Sequence, residues 1–165
     1  MGHSFGSQIV RVFAGTYLTE IAGLVLVDGA QEDLGQRMRP FLSEEGWRAF
    51  RASWDAYPSP EDVTLARLPD MEDGLRTVGR ALPDVPLVVL RGTSRAAWEA
   101  AGTPPWWPLA EALRVMREIS VEEARLTSQG RVVQAERSGH MVHHDQPELV
   151  VEAIRQVLEV VRTRR

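Results

Sequence analysis

From Ser4 to about Tyr17 the apolar residues Ile9, Val10, Phe13, Ala14 and Tyr17 return every three or four positions, which predicts a helix. After Gly23 the pattern changes. Leu24-Val25-Leu26-Val27 is an unbroken apolar run stopped by Asp28-Gly29, and predicts a strand buried on both faces. Val85-Pro86-Leu87-Val88-Val89-Leu90, ending at Arg91-Gly92, predicts a second, and Arg131 to Glu136, entered from Gly130, a third. Leu109, Ala112, Leu113, Met116 and Ile119 mark an amphipathic helix over roughly Leu109 to Thr127. After Ser138-Gly139-His140 comes a closing helix. Asp145 and Glu148 stand at capping-box spacing, with Pro147 in the first turn. Its buried face is written by Leu149, Val150, Ala153, Ile154, Val157, Leu158 and Val161.

Residues 31–82 differ in character. They are charged, carry Trp47, Phe50, Trp54 and Tyr57, and are broken at Pro40, Pro58, Pro60 and Pro69, so several short helices with loops are expected. Gly102 to Pro108 reads as a stiff aromatic loop containing Trp106 and Trp107. No internal repeat or low-complexity segment interrupts residues 1–165, which read as a single domain. Strands alternating with helices argue for an α/β fold with about three parallel strands.

Composition narrows the partners. Apolar content of 44% and charged content of 25% are those of a globular chain with a real core. A formal net charge of -4 gives no electrostatic case for nucleic acid or an anionic membrane as partner. No apolar run reaches membrane-spanning length, and no signal peptide is seen. With no cysteine there is no disulfide framework, thiolate nucleophile or cysteine metal site, which fits a reducing cytoplasm. All 19 basic residues are arginine, so a Schiff-base or P-loop lysine is excluded.

The first residues carry candidate chemistry. A serine nucleophile needs its hydroxyl clear of the backbone, beside a base and an oxyanion site. A tight strand-to-helix turn achieves this, but crowding favours glycine on both flanks. Gly2-His3-Ser4-Phe5-Gly6 meets that requirement, and a helix follows it. "GHSFGSQ" resembles the nucleophile elbow of the α/β-hydrolases, and "IAGLVLVDGA" and "DVPLVVLRG" resemble the next two strands of that fold. "RVVQAERSGHMVHHDQPELVVEAIRQVLEVV" resembles its final strand, histidine loop and closing helix. The order serine, acid, histidine is also the family's. The resemblance covers both ends of the chain well and the middle in outline.

It implies a serine-dependent acyl hydrolase with no cofactor, acting on a small-molecule acyl substrate. Ser4 would be the nucleophile, His140 the general base, and the Phe5 backbone N–H an oxyanion donor. The acid is open between two residues. The family most often places it in a Gly-x-x-Asp loop, where this chain has Gly92-Thr93-Ser94-Arg95. Asp28, closing the first apolar strand, occupies the position used by other members, and Glu99 is the alternative. His140 and His144 stand four apart, but Gly139 and the Asp145 cap put them in a loop without a second ligand cluster, so no metal is expected. His143 and His144 then flank the base as loop residues. Residues 31–82 would correspond to the helical cap of the family, whose tryptophans, with Trp106 and Trp107, either line an apolar site or simply pack.

The family reaches its elbow after about five strands, whereas this elbow starts at Gly2. The expected picture is therefore a truncated hydrolase domain with half an oxyanion hole, impaired or inactive alone. The strand beginning at Leu24 would present an unpaired edge. A partner chain supplying the missing strands, or a non-catalytic interaction module, is the alternative.

Overall fold

The computed structural model describes residues 1–29, 33–55 and 74–163, with the side chains of Trp54 and Asp55 excepted. Four strands run parallel in the order β1-β2-β3-β4: Gly2–His3, Leu24–Val27, Leu87–Gly92 and Gly130–Ala135. The chain is thus an α/β protein with a parallel sheet, as the alternating pattern predicts. The fourth strand is the two-residue β1, which pairs Gly2 with Leu26 and His3 with Val27. The strand beginning at Leu24 is therefore not an open edge along its whole length: β1 pairs with Leu26 and Val27, while Leu24 and Val25 have no β1 partner.

Period-two alternation assigns the sheet's two faces. Val25, Val27, Val88 and Leu90 point one way, and pack on Val150, Ala153 and Val157 of the closing helix. Leu24, Leu26, Leu87 and Val89 point the other way, against Ala14 and Ala124. Strands β2 and β3 are buried at every position, which is why their sequences read as unbroken apolar runs. Each such aliphatic side chain contributes about 1.5–3 kcal/mol by leaving water. β4 is half-exposed, with Arg131 and Gln134 turned to solvent.

Among the described residues the helices are α1 (Phe5–Thr16), α2 (Leu34–Met38), α3 (Glu44–Asp55), α4 (Arg95–Ala100), α5 (Leu109–Ala124), α6 (Val142–Asp145) and α7 (Pro147–Thr163), with residues 74–77 also helical. Short 3-10 turns follow α2 at Arg39–Phe41 and precede β3 at Val78–Arg80. None of the described helices is long and apolar enough to cross a membrane. From residues 31–82, Met38, Leu42 and Phe50 pack on Ala112, Val115 and Ile119 of α5. Pro58, Pro60, Pro69 and Tyr57 lie outside the described residues.

α1 forms where it was expected, and two details of the closing helix differ from expectation. α1 buries Ser7, Gln8, Arg11 and Ala14, while Ile9, Phe13 and Tyr17 of its apolar stripe remain 45–47% exposed. The polar face is inward because it meets other buried polar groups at the strand ends. In α7 Val150, Ala153 and Val157 of the predicted face are buried, with Leu149, Ile154 and Val161 packed partly buried against the same core, but Leu158 is 45% exposed, since one sheet face covers a narrower arc. Asp145 does not cap α7. It closes α6, and its Oδ2 accepts the Gly139 N–H at 3.3 Å, so His143 and His144 sit in a helical turn rather than a loop.

Candidate active site

The serine turn is built by three backbone constraints. The Ser4 N–H donates to the Val27 carbonyl at 3.0 Å, which extends the β1–β2 pairing by one residue. The Ser7 N–H donates back to the Ser4 carbonyl at 3.0 Å and starts α1. Going from strand to helix within one residue forces Ser4 to φ 52°, ψ -125°, a region few residues with a side chain adopt. A Cβ on Gly2 would lie 2.3 Å from the Gly6 carbonyl oxygen, so only glycine fits there. Gly6 is different: nothing lies within 4 Å of its Cβ direction, so the expected crowding on both flanks holds at Gly2 alone. The buried Ser7 hydroxyl locks the turn by donating to the Gly2 carbonyl at 2.9 Å. Phe5 opens α1, where the first N–H groups have no partner within the helix.

Asp28 follows β2 directly, also at positive φ, 41°. Its Oδ2 lies 2.6 Å from Nδ1 of His140, 112 residues on in the chain. A carboxylate only accepts, so Nδ1 carries the proton and Nε2 of His140 is left as the basic nitrogen. The second oxygen, Oδ1, accepts the Gly92 N–H at 3.0 Å and Nη1 of Arg91 at 2.9 Å. Arg91 and Asp28 are each 2% exposed, and both arise from strand ends buried beneath the site. Nε of Arg91 donates to Ser120 Oγ at 2.8 Å, and Nη2 to the Gly29 carbonyl at 3.2 Å. Glu123 continues this buried charge network, 3.9 Å from Arg91 and 3.3 Å from Arg11 of α1. Glu99, the alternative acid, is exposed and donates nothing to the site; its Oε1 accepts from Arg95 at 2.7 Å.

The loop after β4 presents His140 beside these groups. A Cβ on Gly92 would stand 1.9 Å from the Gly139 carbonyl oxygen, so the loop reaches β3 only because residue 92 is glycine. The buried Ser138 hydroxyl donates to Oε1 of Gln146 at 3.0 Å and ties the loop to the start of α7. His3 packs its ring 4.7 Å from that of His140 and 4.5 Å from that of His143, and its Nε2 lies 3.0 Å from the His140 carbonyl oxygen. Burial, foremost, holds the His3 imidazole below its ordinary 6.5. Repulsion from His140 and His143 acts the same way, against the His140 hydrogen bond and Asp28, which raise it. The indole of Trp98 lies 5.8 Å from the His140 ring, with its N–H directed to the Gly92 carbonyl at 3.4 Å. Phe50 stacks on both Trp47 and Trp107 in the core.

The structure thus joins Asp28 to His140 and puts Ser4 at the neighbouring strand end. No hydrogen bond links the Ser4 hydroxyl to His140 among the described residues. Nor do the described residues contain a group of three or more metal-ligating side chains. Sequence reasoning missed Arg91, Gly92, Ser7, His3 and Trp98 as parts of this region. The one signal for Arg91 was an arginine closing an otherwise apolar strand.

The chain as a whole is similar to known proteins. The family model described as "Alpha/beta hydrolase family" matches residues 1–153. No curated protein matches the chain. Among solved structures, a lipase candidate from Acinetobacter baumannii is similar at 18% identity and a TM-score of 0.50, over 99% of this chain and 61% of that one. A thermophilic esterase from Thermogutta terrifontis, solved with malate bound, is similar at 22% identity and a TM-score of 0.45, over 97% of this chain and 64% of that one. A protein of Thermoplasma acidophilum predicted to be a CIB-like hydrolase follows at 15% identity and a TM-score of 0.46, over 98% and 49%. The chain therefore spans about half to two thirds of the length of these structures. With its parallel sheet, its strand-to-helix serine turn and a family model covering nearly its whole length, this chain belongs to the alpha/beta hydrolase family.

Proposed function

We propose that the chain carries the nucleophile, base and acid of a serine-dependent acyl hydrolase, with Ser4, His140 and Asp28 in those roles. The observation that carries the reading is the 2.6 Å contact between Asp28 Oδ2 and His140 Nδ1, made at the strand end next to Ser4. In this reading Nε2 of His140 takes the Ser4 hydroxyl proton as Oγ attacks the acyl carbonyl carbon. The ionised Asp28 stabilises the imidazolium, and the Phe5 N–H receives the negative oxygen of the tetrahedral intermediate. Collapse expels the leaving group, which takes the proton from His140. Water, deprotonated by the same imidazole, then releases the acid and restores the Ser4 hydroxyl.

Phe5 offers one oxyanion donor, and loss of a second costs roughly 2.7–4 kcal/mol of transition-state stabilisation. We therefore propose little turnover by residues 1–165 alone, with the full rate needing a further donor. A serine-reactive phosphonate, followed by mass spectrometry, tests the site itself. An adduct on Ser4 is expected, lost in Ser4→Ala, slowed at least about 100-fold in Asp28→Asn and unchanged in Glu99→Gln. No adduct on Ser4, or full-rate labelling of Asp28→Asn, refutes the reading.

A further inference from the structure

His3 lies between the glycine that the turn requires and the candidate nucleophile, and the proposed chemistry gives it no part. Its placement is tightly set. β1 pairs His3 with Val27, and the next N–H, that of Ser4, is bound to the Val27 carbonyl. Held this way, the His3 side chain reaches a residue 137 positions later: its Nε2 is 3.0 Å from the backbone oxygen of His140. A carbonyl oxygen only accepts, so Nε2 is the protonated nitrogen and donates. Among the described residues the His140 carbonyl accepts from no other group. The His3 ring also lies against the rings of His140 and His143.

We propose that His3 is a positioning residue, a strap whose Nε2–H fixes the backbone of the base loop to the turn that carries Ser4. The inference rests on the triad reading above for its consequence, though the contact itself does not. The residue that must receive the Ser4 proton is anchored, through one hydrogen bond, to the residue covalently joined to Ser4. The other anchors of the loop reach other segments: Gly139 N–H to Asp145, the Ser138 hydroxyl to Gln146, the Ser138 carbonyl to the Ser94 N–H, and the His140 ring to Asp28. Among the described residues, His3 is the one that ties the loop's backbone to the serine turn itself.

Two substitutions separate the donor from the ring. Glutamine can place its amide N–H near the position of Nε2 without being titratable, while phenylalanine keeps a ring and loses the donor. The His3→Phe protein should label with phosphonate about three- to tenfold more slowly, the loss expected for one hydrogen bond. The His3→Gln protein should stay within about twofold of the unmodified chain. Independently of labelling, the low-field proton NMR signal of His140 Nδ1–H bound to Asp28 should exchange faster in His3→Phe and be restored in His3→Gln. Phenylalanine that leaves rate and exchange unchanged, or glutamine as impaired as phenylalanine, overturns the strap. If the unmodified chain fails to label Ser4, the hydrolase reading falls and the exchange measurement still decides the role of His3.

Discussion

Replacing Arg91 by methionine is the perturbation that the structure makes most demanding. The guanidinium is 2% exposed and meets an equally buried carboxylate at 2.9 Å. Its removal also strips a donor from Ser120 and from the Gly29 carbonyl. Asp28 Oδ1 is left with the Gly92 N–H alone. Were the pair at the surface, its loss would be worth about 0–1 kcal/mol. Because it is buried, the remaining carboxylate gains no water and keeps only the Gly92 N–H and the His140 ring against its charge, and the loss should be about 3–5 kcal/mol. That is a large fraction of the roughly 5–15 kcal/mol that holds a domain together. For a chain of this size it corresponds to a fall in Tm of roughly 6–20 °C. Urea unfolding followed by far-UV circular dichroism measures it. Asp28→Asn combined with Arg91→Met should recover part of the loss, since the double variant leaves no uncompensated charge. A single-variant loss below about 1 kcal/mol, or strictly additive losses, would show that the pair does not hold Asp28 in place.

Two further outcomes follow from the site's geometry. Gly92→Ala puts a Cβ 1.9 Å from the Gly139 carbonyl oxygen, so the base loop must shift. A stability loss of about 1–3 kcal/mol and loss of the low-field His140 proton signal are expected, whereas Gly6→Ala, with open space and a helical position, should stabilise by about 0.5–1 kcal/mol. His3 sets a pH dependence. Its imidazole, facing His140, His143 and Asp28, titrates below 6.5 in the folded chain, chiefly through burial. Between that lowered value and 6.5 the unfolded chain binds more protons, so stability falls as pH drops through this window. Urea midpoints either side of pH 6.5 should converge between the chain and His3→Gln on the alkaline side, and favour His3→Gln on the acid side. Parallel curves throughout would refute it.

Much of the fold was legible because it is encoded locally. Fully buried parallel strands need apolar residues on both faces, so β2 and β3 stand out as runs in the chain. The Ser4 turn was legible for a similar reason: steric crowding at Gly2 is a property of the neighbouring backbone. The contact of Asp28 with His140 was not, since the two lie 112 residues apart. Strand order brings the end of β2 to the β4 loop and leaves Glu99 on an outer helix with Arg95.

The chain's periodicity determined by itself that an α/β sheet would form and that a serine would sit between strand and helix. It could not orient α1, whose apolar stripe stays half-exposed while Arg11 and Gln8 turn inward. Only the tertiary structure decided that. Hydrophobic periodicity records a helix's own faces, whereas which face is buried depends on what waits opposite. Here that is Glu123, with Arg91 and Asp28 beyond it, a set of charges assembled from three distant segments. The same reason hid Arg91 and His3: their partners are 63 and 137 residues away. An electrostatic pair across that separation leaves no pattern in the sequence between them.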